Sequence, residues 1–161
     1  MKVSIDSAAA RLLKDPAHLL ALGLGSGCLR PAPGTWGSLV GLLLYLPLSI
    51  VPKPMFWTIV VAGFGIGVWL CRRTARALGV DDHPAIVWDE VIGIWLTMGL
   101  VPATMPWLMA GFALFRLLDI WKPWPIREVD RNLHGGLGIM ADDALAGLAG
   151  MAILGLIHYI Y

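Results

Sequence analysis

Apolar residues run along this chain in long blocks separated by short links rich in proline, glycine or charge. Five blocks stand out, at 36–51, 55–71, 85–101, 106–121 and 144–161. A block without polar alternation predicts a helix that faces protein or lipid all round rather than a strand with one wet face. Several blocks fall short of the ~20 residues that comfortably cross a bilayer, so short, tilted or half-embedded helices are expected among them. After Pro125 the pattern changes: Arg127, Asp130, Arg131 and His134 recur at i, i+3, i+4 and i+7, with Ile126, Val129 and Leu133 on the opposite side. With Trp121 and Trp124 before it and a Gly135–Gly136 stop after it, this predicts a short amphipathic helix in the headgroup layer. The expected fold is all-α: a compact membrane-embedded bundle of about four to five apolar helices with one short interfacial helix.

Composition strengthens that picture. Of 161 residues, 58% are hydrophobic and 14% charged, against roughly 25% charged in an ordinary soluble domain. A mean hydropathy of +0.74 marks a membrane protein, and the length suits one domain over 1–161. The net charge of +1 gives no field to recruit nucleic acid, and nothing calls for an obligate protein partner. Cys28 and Cys71 fall in no metal or redox spacing and read as packing residues. Residues 1–16 have scattered charges and no apolar core ahead of a cleavage site, so they are expected to stay as a cytoplasmic segment. The links "CRRTARALGVDDH" and "WKPWPIREVDRNLHGG" are rich in arginine and lysine, whereas "VPKPM" and "VPATMP" hold one charge between them. The positive-inside bias makes the basic links cytoplasmic, with the N-terminus inside and, if all five blocks cross, the C-terminus outside.

Charge placement now points to chemistry. With Pro84 in the first turn, Asp89 and Glu90 lie about 8 Å into their helix, close to the cytoplasmic face. Asp119 stands near the cytoplasmic end of the fourth block, and Asp142 and Asp143 open the fifth. Acids in a first turn favour the helix dipole by only about 0.3–1 kcal/mol. Two adjacent pairs that open different helices of one small bundle suit a shared cation better. Oxygen ligands without cysteine point to Mg2+ or Mn2+. Neighbours on a helix diverge by about 100°, so which acid of each pair binds directly stays open.

Basic and small residues supply the complement. Arg116, Asp119 and Lys122 follow at i, i+3, i+6. A guanidinium inside an apolar helix is costly alone, so Arg116 either pairs with Asp119 or holds a phosphate. Arg127 and Arg131 either bind substrate or anchor the helix to anionic lipid. In "GLGSGCLRPAPGTWGS" the glycines, among them Gly27 and Gly34, can aim N–H groups at an anion, and Ser26, Thr35 and Ser38 add hydroxyls. The same stretch also suits a plain connector.

The loop "GSGCLRPAPGTWGS", the helix start "HPAIVWDEVIGIW" and the run "FRLLDIWKPWPIREVDRNLHGGLGIMADDALAG" together resemble the phosphatidylglycerophosphatase A family, from about residue 17 onward. The resemblance implies a helical, Mg2+-dependent enzyme of the bacterial cytoplasmic membrane that converts phosphatidylglycerophosphate to phosphatidylglycerol. Carried over by position, it implies Asp89, Glu90, Asp142 and Asp143 as metal-binding acids. It also implies Arg116, Asp119, Lys122, Arg127, Asp130 and His134 as the motif that faces the headgroup. The mechanism expected has Arg116 and Lys122 on the phosphoryl oxygens, and a carboxylate or His134 moving a proton. No DxDx[TV] or Cys-x5-Arg stretch is present for a covalent route, which favours direct attack by water. The rivals are a phosphatase of another lipid phosphate, such as phosphatidic acid, and a divalent-cation transporter. A transporter would hold its acids near the midplane rather than at one face.

Overall fold

The computed structural model describes residues 4–161. Its amino-terminal part is folded onto the rest. β1 (Ser4–Ile5) pairs antiparallel with β2 (Leu29–Arg30), and between them lie α1 (Ser7–Ala10), a 3-10 turn (Arg11–Lys14), α2 (Pro16–Ala21) and a second 3-10 turn (Gly23–Cys28). Asp6 starts α1 by accepting from the N–H groups of Ala8 and Ala9, and Asp15 starts α2 by accepting from Ala17. The same two carboxylates tie the segment down, through Arg30 to Asp6 and Arg73 to Asp15, each at 2.7 Å.

The remainder is almost wholly helical: α3 (Pro33–Leu48), α4 (Lys53–Leu78), α5 (Trp88–Thr97), α6 (Met105–Trp121), α7 (Ile126–Asn132) and α8 (Gly135–Ile160). The five apolar blocks of the sequence fall on α3, α4, α5, α6 and α8. Among the described residues only α4 and α8, each of 26 residues, are long and apolar enough to cross a membrane. The ten residues of α5 reach about 15 Å. That helix is the centre of the bundle: Val91, Ile92 and Ile94 are fully buried, and α3, α4, α6 and α8 pack round it. Its two indoles also bond to its neighbours, Trp95 Nε1 donating to the Gly41 carbonyl of α3 and Trp88 Nε1 to the Gly63 carbonyl of α4, both at 3.0 Å. The outside of the bundle is apolar as well, with Leu43, Val61, Ile66, Met109, Ile120 and Leu156 exposed.

Four boundaries differ from those the sequence predicts. The link "CRRTARAL" is the last part of α4 rather than a loop; Thr74 and Ala75 are buried there, with Thr74 Oγ1 2.9 Å from His18 Nδ1, and the helix stops at Gly79 with φ +74. Arginine and alanine are good helix formers, and tertiary packing carries the helix past the end of its apolar block. α5 begins at Trp88, not near Pro84. Residues 85–87 are spent on a buried non-helical turn, where the Val87 N–H donates to the Ala21 carbonyl at 2.9 Å. α7 ends at Asn132, buries Ile126 alone, and leaves His134 outside it. Gly135 and Gly136 do not stop a helix but start α8, so Asp142 and Asp143 sit in its third turn. The buried stripe Gly136, Ile139, Met140, Asp143, Gly147 and Gly150 keeps helical spacing through the acids, and its packing outweighs the low propensity of the glycines.

Candidate active site

Three carboxylates meet where α5 starts and the third turn of α8 passes it. Asp89, Glu90 and Asp143 each offer an oxygen, and these oxygens lie within 4.8 Å of one another. Asp89 Oδ1, Glu90 Oε2 and Asp143 Oδ2 are buried and have no hydrogen-bond partner among the described residues. Ionised carboxylates accept and cannot donate, so these three cannot satisfy each other. Two unit charges about 4 Å apart repel by about 4 kcal/mol at an effective dielectric of 20. A group of orphaned acceptors at that spacing could hold a hard cation, which takes oxygen ligands.

The acids form one wall of a cavity of about 360 Å³, which Arg116 and Asp119 of α6, Lys122, Asp130 of α7 and the start of α8 enclose. Arg116 does pair with Asp119, through Nη1, and the same nitrogen lies 3.8 Å from Glu90 Oε1 and 3.5 Å from Ser38 Oγ. Its Nε is buried and Nη2 makes no hydrogen bond, both without a partner among the described residues. Lys122 stands at the end of α6 with a positive φ of 47° and bonds to Asp130 and to Asp142 at 2.6 Å each. Burial works against its ammonium, but the two carboxylate bonds outweigh it and hold its pKa above the usual lysine value. Asp142 is thus engaged by Lys122 and is outside the three-carboxylate group, although it lines the same cavity, so of the four acids assigned to metal it is the one turned to a cation of the protein itself.

The glycine segment divides in two. Gly34, in the first turn of α3, lines the cavity, and a Cβ there would collide with Glu90 Oε1 and lie 3.0 Å from Arg116 Nη1. Ser38 Oγ donates to the Gly34 carbonyl at 2.8 Å and steadies that turn beside Arg116. Ser26, Gly27, Thr35 and Ser38 do not line the cavity, contrary to the substrate-binding role expected of them. Ser26 Oγ donates to the Gly23 carbonyl, Gly27 packs directly on the Ala85 carbonyl, and the Thr35 N–H bonds to Ala32, so each shapes the backbone. Arg127 and Arg131 line a separate crevice with the exposed Trp121 and Trp124, which meets the cavity only at Lys122. His134 is at the cavity rim as the residue before α8. Sequence reasoning passed over Asp81 and Asp82, which also line the cavity, although the doubled acid in "GVDDHP" was a signal for them. Burial pushes the Asp82 carboxyl above the usual range.

With that geometry in hand, comparison with known proteins is informative. Residues 19–158 match the family described as Phosphatidylglycerophosphatase A. The chain is 48% identical over 151 residues to a protein of Escherichia coli (strain K12) named Phosphatidylglycerophosphatase A, covering 92% of this chain and 88% of that one. It is 44% identical over 149 residues to a protein of the same name from Haemophilus influenzae, covering 91% of each. A relative from Bacteroides thetaiotaomicron, 33% identical over 92% of this chain and 99% of its own, carries a provisional name as a phosphatidylinositol-3-phosphatase. No solved structure matches. The acids of α5 and α8, Arg116 and the turn at Gly34 all lie within the matched residues, and the chain belongs to the phosphatidylglycerophosphatase A family.

Proposed function

We propose that this chain is a membrane-embedded lipid phosphatase that removes the terminal phosphate of phosphatidylglycerophosphate and leaves phosphatidylglycerol, on the cytoplasmic face of the bacterial inner membrane. The observation that carries this reading is the cavity in which three buried, unpartnered carboxylate oxygens face Arg116. The family and the relatives named above supply the substrate. The all-oxygen donor set fits Mg2+, with Mn2+ as a close substitute, and Asp89, Glu90 and Asp143 are the residues that would hold it. When bound, such an ion neutralises the carboxylates and polarises a phosphoryl oxygen.

The protein's own groups do the rest. Asp119 and Glu90 fix the plane of the Arg116 guanidinium at the cavity wall, and its Nη2, which makes no hydrogen bond among the described residues, can donate to a phosphoryl oxygen without that plane turning. Gly34, with no side chain, lets the first turn of α3 close directly on Glu90 and Arg116. Lys122 adds charge at the cavity edge, held in place by Asp130 and Asp142. Hydrolysis forms a bond from water oxygen to phosphorus and breaks the bond to the glycerol oxygen, which takes up a proton. His134 and the carboxylates of the rim are the groups placed to move it. In this reading α4 and α8 span the bilayer, the apolar α3 and α6 share its hydrocarbon layer, and α7 lies at the headgroups.

Phosphate release from phosphatidylglycerophosphate, phosphatidic acid and phosphatidylinositol 3-phosphate, with and without Mg2+, tests the reading. The expected result is Mg2+-dependent turnover that favours phosphatidylglycerophosphate by at least about tenfold in kcat/KM. The Bacteroides relative's name makes the inositol lipid the rival to beat, and preference for it would replace the substrate proposed here.

A further inference from the structure

A second crevice opens beside the acidic cavity, with a volume of about 620 Å³. Arg72 and Arg76 of α4 line it, and it shares Asp81 and Gly135 with the cavity, so the two spaces adjoin across one wall. The two arginines stand one helical turn apart and, among the described residues, make neither a salt bridge nor a side-chain hydrogen bond. Arg73 between them is differently placed: it bonds to Asp15 at 2.7 Å and stacks over the Trp69 ring at 5.3 Å. The positive-inside bias accounts for arginines at this end of α4, but not for two of them lining a crevice next to the acids. α8 starts right against this turn, since a Cβ on Gly136 would strike the Val68 carbonyl and come within 2.8 Å of Arg72 Cβ. Further along the same face of α4, at helical spacing from Arg72 and Arg76, Ala62, Gly65 and Trp69 are exposed. An apolar stripe that ends at two unpaired guanidiniums matches a lipid whose chains lie on the helix and whose phosphate reaches its end.

The substrate class of the phosphatase reading has such a group. Phosphatidylglycerophosphate carries a terminal monoester, which is removed, and an internal diester one glycerol away, which is kept. We propose that Arg72 and Arg76 form a second anion subsite that holds the internal phosphodiester while the terminal monoester occupies the acidic cavity. The proposal rests on that reading of the cavity. It gives the enzyme a means of telling its substrate from phosphatidic acid, which has no diester.

The test uses the full-length protein in non-ionic detergent micelles, where no anionic surface can attract the arginines. Wild type, Arg72→Gln/Arg76→Gln and Arg72→Lys/Arg76→Lys are compared after a melting-temperature check. For the glutamine pair, the KM for phosphatidylglycerophosphate should rise about 10- to 100-fold, the range of charged hydrogen bonds, while kcat stays within about threefold. Inhibition by phosphatidylglycerol, which has only the diester, should weaken in step, whereas inhibition by inorganic phosphate should not change. The lysine pair should recover most of the KM. A KM within about threefold of wild type would overturn the subsite, and so would equal weakening of both inhibitors, which would assign the arginines to the acidic cavity. Absence of any wild-type phosphate release would instead remove the phosphatase reading, and the subsite with it.

Discussion

Asp142 and Asp143 are adjacent in sequence and separate in environment. About 100° of helix rotation turns Asp143 toward the acids of α5 and Asp142 toward Lys122. At Arg116 the alternatives of pairing with Asp119 and binding phosphate are not exclusive, because Nη1 takes the carboxylate and Nη2 is left over among the described residues. If pairing were the whole role, neutralising both partners would relieve the unpaired charge left by either single change. The expected outcome is that Arg116→Gln and the double variant Arg116→Gln/Asp119→Asn are both folded and both at least about 100-fold slower in phosphate release, the scale of one lost preorganised donor. Arg116→Lys should also lose most activity, since an ammonium lacks the planar fork. Recovery of turnover in the double variant would make Arg116 structural.

At the level of elements, much of the molecule was legible in the sequence. The apolar blocks fall on helices of a mostly helical chain, two of which, α4 and α8, are long and apolar enough to cross a membrane, and doubled acids in a run like 85–101 need an explanation beyond packing. Helix ends were harder. Where packing sets the boundary, as at residues 72–78 and 135–143, local apolarity and glycine content mislead. The division of labour among the acids could not be read, because it depends on the phase of α8, and that phase counts from a start the glycine pair disguises. The placement of Ser26, Gly27 and Thr35 away from the cavity was equally hidden, since hydroxyls and glycines that build a turn look the same in sequence as those that bind an anion. The proposed orientation of α4 and α7 has its own test. Single cysteines at the exposed positions Ala77 and Asn132 should react with a membrane-impermeant thiol reagent in inverted vesicles and not in intact cells, and labelling of either from outside would reverse the topology.

Taken as a whole, the molecule gathers its polar chemistry at one end of an apolar bundle. The starts of α3, α5 and α8 and the end of α6 converge on the cavity, so each helix contributes a terminus or a near-terminal turn, where charged groups are least costly beside a membrane. The proposed chemistry requires the three-carboxylate group to be a cation site rather than a set of acids relieved in some other way. Mn2+ binding to the purified protein, followed by the EPR signal of the free ion, tests this without any need for turnover. The account predicts that Asp89→Asn, Glu90→Gln and Asp143→Asn each weaken Mn2+ binding by at least about tenfold, while Asp142→Asn, whose carboxylate belongs to Lys122, stays within about threefold of wild type. Mn2+ binding equal to wild type in all of Asp89→Asn, Glu90→Gln and Asp143→Asn would contradict it.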